Sequence, residues 1–513
     1  MPAPAYESIS SSAKPAPSIL QIAERVNAHP YQVLPVWIIA YFVVFANPAM
    51  RPLWYDELTT LYIAKSPSLE HFFKCLTSVD LAPPLQFVLV KLSMLLFGES
   101  PWSVRLPGIL GYLVGSLAVF HVVFKRFGGN VGLAILGIFW SIYPAVSALD
   151  ARPYGLLVGF LGLGLLCWTQ AIQTGEGRWT KWHTGLVASI SGMFLTHCFS
   201  PFFAAALGVG ELMRTYRTHR LDKRLWAAIL LPLVWLPGYI PLIRNAQGVL
   251  FPQAFRTHAL MPVLFYVVLI LPILPIAITL AVVLFRRRKE PPKWHQLLES
   301  HELAFCAAGL MAPVVVIAYS VWSHVPFWLR YGAPACVAFA FIISPMLASV
   351  LRNTMASLMS ALVILLLFCM VKAGSGELGG PVQTTTHWYR SIKPDLPFVT
   401  ASGLCFVEMD YREPLDFKKR LHYLTDRESA VRIRHATLFE GLTQVKELFP
   451  ITGSVSSYPE FVKTNRHFLL FATPDAPEDW LYIKLKEDGA KIELLHDELT
   501  AYRDHQVYEV TLR

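Results

Sequence analysis

Charged residues are scarce. Asp, Glu, Lys and Arg make up 15% of the 513 residues, where an ordinary soluble protein carries about 25%. Apolar residues reach 54% and are clustered, which excludes a soluble single domain and a disordered chain. Seven cysteines lie scattered, mostly in apolar runs, with neither metal-like nor paired spacing, so a disulfide scaffold is excluded as well. Only Cys405 falls in the polar C-terminal part, which therefore forms no internal disulfide. The patterns HExxH, GxSxG and the P-loop are missing. A zinc peptidase, a serine hydrolase and an ATPase thus each want their working parts.

Long apolar runs are what the chain does contain. Runs 131–149, 153–173, 262–285 and 355–371 approach or reach the roughly 20 residues that cross a ~30 Å hydrocarbon layer. They predict a polytopic α-helical membrane protein. Candidate spans are 33–50, 104–124, 131–149, 153–173, 184–196, 198–213, 225–243, 262–285, 302–321, 331–350 and 355–373, eleven in all. Segment 82–98 is also apolar, but it is short, opens on Pro83-Pro84 and carries Gln86 and Lys91. It reads as a helix lying in the outer interface.

Net charge is +9, unevenly spread. Residues 1–379 hold 27 Lys/Arg against 15 Asp/Glu, and residues 380–513 hold 17 against 20. The positive excess belongs to the membrane part and is no sign of a nucleic-acid partner. Loops after even-numbered spans, with Lys14 and Arg25, collect 17 basic residues, among them Arg286-Arg287-Arg288-Lys289, Lys293 and Arg352, and the other side collects 10. The positive-inside rule then puts the N-terminus in the cytoplasm and the C-terminal part outside.

Three regions follow. Residues 1–30, rich in Ser, Pro and Ala, read as a disordered cytoplasmic tail without a cleavable signal. Residues 31–373 form the transmembrane domain, with an outer loop at 51–103. After Gly374-Ser375-Gly376, residues 380–513 read as a soluble extracytoplasmic α/β domain. Leu404–Glu408, His467–Ala472, Trp480–Leu485 and Val507–Leu512 have strand character, and 414–424 and 436–448 look helical.

With this orientation the outer side receives Asp56-Glu57, Asp80, Arg105, Asp150, Arg152, His197 and Arg330, each next to a helix end. Ionisable groups at membrane ends are functional candidates. Blander roles exist for several. Trp54 and Tyr55 suit an interface, Arg105 and Arg330 suit headgroup anchors, Asp150 and Arg152 suit a local pair, and His197 suits a turn cap. Adjacent carboxylates at 56 and 57 do not both ionise cheaply beside a low-dielectric boundary, and they suit acid–base work. Outside the cell no nucleotide serves as activated donor. A transferase there takes its group from a lipid phosphate, with a base for the acceptor proton and cations for the departing phosphate.

These residues resemble a family. Leu53-Trp54-Tyr55-Asp56-Glu57 is similar to the Asp-Glu motif in the first outer loop of the GT-C superfamily of membrane glycosyltransferases, and more narrowly of glycosyltransferase family 39. That family includes protein O-mannosyltransferases and lipid A aminoarabinose transferases. Asp80-Leu81-Ala82-Pro83-Pro84-Leu85 resembles its Asp-x-His-Pro-Pro-Leu, with Ala82 in place of the usual His. Gly98-Glu99-Ser100 followed by Val104-Arg105-Leu106-Pro107 resembles its glycine and Arg-Leu-Pro. Asp150-Ala151-Arg152-Pro153-Tyr154 resembles Glu-Ala-Arg-Pro-Tyr, and Thr196-His197 and Arg330-Tyr331 have counterparts.

The resemblance implies a GT-C fold in the inner (plasma) membrane and an inverting transfer of a hexosyl or pentosyl group. The partners implied are a polyprenyl-phosphate sugar donor, membrane lipid, and a lipid, glycan or protein acceptor. It implies Asp56 as general base, with Glu57 and Asp80 assisting. Arg105, Asp150, Arg152, Tyr154, His197, Arg330 and Tyr331 are implied at the donor phosphate or substrate. No cofactor is required, although the carboxylates are compatible with a divalent cation. A transporter or flippase is the alternative. It predicts internal repeats and ionisable groups near the midplane, whereas here the polar groups crowd one face.

Overall fold

The computed structural model describes residues 18–142, 144–175, 177–246, 249–271, 274, 298–350, 354–374, 388–437, 439–474, 476, 479–496 and 506–512. Most of the expected tail (1–17), most of the second half of span 262–285, the Arg286–Lys289 run, Lys293, Arg352 and Ser375-Gly376 lie outside the described residues.

Each expected span is largely helical over its described residues, 131–149 being divided between two helices. The helices are α1 (Ile19–Ala28), α2 (Leu34–Ala49), α3 (Tyr55–Ala64), α4 (Leu69–Cys75), α5 (Leu85–Phe97), α6 (Pro101–Phe127), α7 (Gly129–Ser141), α8 (Pro144–Ser147), α9 (Tyr154–Thr174), α10 (Lys181–Phe194), α11 (Ser200–Thr218), α12 (Lys223–Leu230), α13 (Tyr239–Ala246), α14 (Met261–Ile270), α15 (Ser300–Ser323), α16 (Ala335–Val350) and α17 (Thr354–Gly374). Among the described residues four are long and apolar enough to cross a membrane by length and composition: α6, α9, α15 and the run Lys223–Ala246. That run tightens to a 3-10 helix over Leu231–Gly238, where Pro232 and Pro237 withhold backbone donors. The run 131–149 breaks after α7, where Ile142 is extended. α5 has 13 residues, about 20 Å of helix, and falls short of the ~30 Å layer.

Glycine sets the closest helix packing, between α6 and α9. A Cβ at Gly155 would lie 2.1 Å from the Gly108 carbonyl oxygen, at Gly159 2.5 Å from that of Gly111, and at Gly162 2.6 Å from that of Gly115. Small residues at this spacing let two backbones touch where no hydrophobic force drives them together. The contact fixes the N-terminal ends of both helices side by side. One carries Arg105, and the other begins just after Arg152.

The C-terminal part is an α/β domain on one sheet: β1 (Phe398–Thr400), β2 (Leu421–Thr425), β3 (Ser454–Ser457), β4 (His467–Ala472), β5 (Lys491–His496) and β6 (Gln506–Thr511). The strand order is β3-β2-β1-β4-β6-β5. β1 to β4 pair in parallel, and β6 runs antiparallel to β4 and β5. The helices are α18 (Gly403–Arg412), α19 (Leu415–Lys419), α20 (Arg427–Arg434), α21 (Leu442–Leu448), α22 (Tyr458–Thr464) and α23 (Leu481–Glu487).

Two expected strands are helices. Leu404–Glu408 lies in α18, where Cys405, Phe406 and Met409 bury at helical spacing, and the strand sits earlier, at β1. Trp480–Leu485 enters α23, where Leu481 and Leu485 bury four residues apart. The stretch 414–424 is divided, α19 ending before β2 begins. The strands expected at 467–472 and 507–512 are β4 and β6, while of the helix expected at 436–448 only Leu442–Leu448 is helical, as α21.

This domain sits on the outer loop. A single apolar cluster runs from Leu58, Leu61 and Phe87 into Phe406, Tyr423 and Phe471. Replacing Gly159 with Ala forces a side chain against the Gly111 backbone, which should cost about 1–3 kcal/mol. A lower melting temperature of the purified variant in detergent checks this, and an unchanged one would show that α6 and α9 can part without penalty.

Candidate active site

Residue 54 opens α3 in extended conformation, which places Asp56 and Glu57 in the first helical turn. The free N–H groups and the dipole of a helix start favour carboxylates there. The two side chains nonetheless go opposite ways. Glu57 turns inward, is fully buried, and accepts from Trp54 N at 3.2 Å and from Ala151 N at 2.9 Å. Beneath it lies Arg105, also fully buried. Arg105 Nε and Nη2 donate to the two Glu57 oxygens at 2.7 and 2.5 Å. Nη1 donates to the carbonyls of Ala49 at 2.8 Å and Arg51 at 2.5 Å, and Nη2 to that of Pro52 at 3.2 Å. A guanidinium has five N–H donors, and all five are taken.

Asp56 turns toward the outer opening and stays about one-fifth exposed, its Oδ2 accepting from Arg330 Nη2 at 2.8 Å. Beside it Arg152 Nη1 donates to Asp80 Oδ1 at 2.8 Å and, at 3.4 Å, to the Asp56 carbonyl. Asp80 ends a π-helical turn, Leu76–Asp80, and Leu81 after it takes a left-handed backbone with φ 52°. Such a conformation is costly for a branched side chain and is kept where the surroundings fix it. Arg330 lies over three rings, with Trp54 5.3 Å, Tyr154 5.7 Å and Trp328 5.8 Å from its guanidinium carbon.

Tyr154, His197 and Tyr331 form a triangle of rings 5.6 to 5.9 Å apart. His197 Nδ1 accepts from Phe199 N at 3.0 Å, so its proton sits on Nε2. Burial, with the Arg152 and Arg330 guanidiniums nearby, pushes this imidazole down to about 3. His197 is therefore neutral at any physiological pH and offers only an N–H. Asp150 pairs with Arg51, and burial raises its carboxyl above the ordinary range. Among the described residues no three His, Cys, Asp or Glu side chains stand in a metal-ligating group.

The structure thus brings Asp56, Asp80, Arg152, Tyr154, His197, Arg330 and Tyr331 to one opening, with Asp150 at its edge. Glu57 and Arg105 lie below it, saturated by one another and by backbone. The sequence reading did not single out the residues that hold the loop from above. Glu408 Oε1 accepts from Tyr55 N at 3.1 Å, and Arg412 Nη2 donates to the Leu53 carbonyl at 2.5 Å. His71 Nε2 meets the Leu448 carbonyl at 2.9 Å. Their only sequence signal is polarity on the otherwise apolar stretch 403–412.

Removing Arg105 should damage the fold before the chemistry. Arg105→Leu leaves the Glu57 carboxylate buried without its cation, at about 3–5 kcal/mol. A sharp fall in melting temperature and yield checks this, and a stable Leu variant would show that Glu57 finds other partners. His197, for its part, should give no titration between pH 5 and 8 in NMR spectra of histidine-labelled protein.

Comparison with known proteins fits this arrangement. Residues 82–240 match a family model described as dolichyl-phosphate-mannose-protein mannosyltransferase. Two crystal structures of ArnT from Cupriavidus metallidurans share the fold. The one bound to undecaprenyl phosphate aligns at 14% identity over 94% of this chain and 98% of its own, with a TM-score of 0.55. The apo form aligns at 14% identity over 94% and 97%, with a TM-score of 0.56. No curated protein matches the sequence. The chain as a whole thus shares its fold with ArnT, and its segment 82–240 matches the mannosyltransferase family model.

Proposed function

We propose that the protein is a membrane glycosyltransferase that moves a sugar from a polyprenyl-phosphate carrier to a lipid, glycan or protein acceptor at the outer membrane face, inverting the anomeric carbon. The observation that carries this reading is Asp56, held by Arg330 at 2.8 Å beside the Arg152–Asp80 pair. Arg330 fixes one Asp56 oxygen, and the other takes the proton of the acceptor hydroxyl. The acceptor oxygen then bonds to the anomeric carbon as the bond from that carbon to the phosphate oxygen breaks. Positive charge grows on the sugar and negative charge on the phosphate.

Arg152 and Arg330 receive the phosphate. In each, Nε is buried without a hydrogen-bond partner among the described residues, leaving one free donor aligned with the rest of a guanidinium fork. These two cations can carry the leaving group's charge without a divalent metal. Asp80 orients Arg152. Tyr154, Tyr331 and the His197 N–H supply further hydrogen bonds. Glu57, Arg105 and Asp150 shape the loop and touch no substrate, a narrower role than the sequence resemblance implies for them.

An apolar groove of about 350 Å³ between α5, α6 and α9 supports the lipid carrier. Leu89, Leu92, Leu110, Leu156, Phe160 and Leu163 are among its walls, and Leu156 is two residues from Tyr154. ArnT, of the same fold, has been solved with undecaprenyl phosphate bound. The reading places the protein in the inner membrane as a multi-pass chain, N-terminus cytoplasmic and the α/β domain outside, over the site.

Transfer from labelled polyprenyl-phosphate sugars in source-organism membranes tests it. Asp56→Asn should lose about 10²–10⁴-fold in rate, the usual contribution of a general base, while still inserting and folding. The labelled product names the acceptor class. Equal transfer by the Asn variant removes Asp56 from the base role, and no transfer by the wild type from any donor overturns the reading.

A further inference from the structure

Gln86 is 1% exposed, and neither its Nε2 nor its Oε1 has a hydrogen-bond partner among the described residues. Leaving a buried polar group unpaired is costly. A Leu or Met at this place would avoid that cost, so the amide calls for another account. Its position suggests one.

Gln86 lies in the first turn of α5. Leu89 and Ser93, three and seven residues further on and so on the same side of the helix, line the apolar groove. Pro107 of α6 and Leu156 of α9 line it too. Just before Gln86 comes the segment whose Asp80 holds Arg152, and the preceding residue, Leu85, donates its N–H to the Leu195 carbonyl at 2.9 Å, two residues from His197. Arg152, with its own unpaired Nε, precedes Leu156 by four residues. Gln86 and Arg152 do not themselves line the groove; each lies one helical turn beyond a lining residue, Leu89 and Leu156, toward the segment that carries Asp80. The apolar lining gives way to polar groups there, and two of those groups are unsatisfied.

We infer that Gln86 binds the head of the lipid-linked donor, its Nε2 donating to a phosphate oxygen and its Oε1 accepting from a sugar hydroxyl next to the phosphate. An amide presents one donor edge and one acceptor edge, which matches that pair of partners and no purely apolar group. Gln86 is thereby a determinant of which sugar is accepted. This inference rests on the function proposed above.

Two variants, Gln86→Leu and Gln86→Glu, test it through three readouts: melting temperature, the shift of that temperature on adding undecaprenyl phosphate alone, and KM for the labelled donor. In the Leu variant the melting temperature should hold or rise, because an unpaired buried amide is gone. Its KM for the donor should rise about 10–100-fold, the loss of a hydrogen bond to a charged group. It should also discriminate less between donor sugars. Gln86→Glu, which sets a carboxylate against the phosphate, should bind the donor less well still and show a smaller shift with undecaprenyl phosphate than wild type. Unchanged KM and sugar preference in an active Leu variant overturn the inference, whether its melting temperature rises or falls. If the wild type transfers nothing, the functional reading has failed, and the undecaprenyl-phosphate shift alone decides on Gln86. An equal shift in wild type and both variants refutes it.

Discussion

The buried pair of Glu57 and Arg105 is the constraint on which the outer face depends. Two opposite charges taken out of water are a poor source of net stability, and they persist only where geometry and further hydrogen bonds compensate their desolvation. Here the compensation is complete. One guanidinium gathers three consecutive-loop carbonyls, at 49, 51 and 52, and both oxygens of one carboxylate. That carboxylate in turn gathers the N–H groups at 54 and 151. The end of α2, the start of α3, the second turn of α6 and the entry to α9 are thereby tied at one point. Asp56 is adjacent to Glu57 along the chain, so it inherits a fixed direction without taking part in the tie.

Rigid backbone contacts extend this constraint. The glycine contact between α6 and α9 brings Arg105 and Arg152 to the same level, and the left-handed Leu81 turns Asp80 toward Arg152. The three rings around Arg330 hold its planar cation where Asp56 can meet it. Each charged group that faces the opening has an opposite charge already in place. The opening thus presents dipoles and cations already fixed in place, so that charge arriving there would call for little reorganisation.

Much of this was legible in the sequence. Apolar runs gave the helices, because a span must be apolar over its whole length. Basic loops on one side sorted eight ionisable residues onto the other, and five of those, Asp56, Asp80, Arg152, His197 and Arg330, now share one opening. Asp56 and Glu57 could not be told apart in sequence, since neighbouring positions in a first turn look alike. Only the location of Arg105 shows which of the two is buried and paired. Arg105 itself, which the resemblance implies at the phosphate, has all five donors engaged by Glu57 and by backbone. The α/β domain was harder. Leu404–Glu408 and Trp480–Leu485 are short apolar runs, and over five or six residues the helical and strand periods overlap. The grip of Glu408 and Arg412 on Leu53 and Tyr55 joins residues 353 and 359 positions apart, beyond the reach of any local pattern.

That distant grip bears on when the protein becomes competent. The loop with Asp56 leaves the ribosome early, between the first and second apolar spans, while Glu408 and Arg412 are made only after the last one. Tyr55 and Leu53 gain these partners only once the terminal domain has folded over them. A growing chain therefore carries α5, α6 and α9 before the loop with Asp56 is gripped, and a chain cut short of Glu408 leaves that loop ungripped. Synthesis order thus keeps the reactive loop unfinished until the whole molecule is in place.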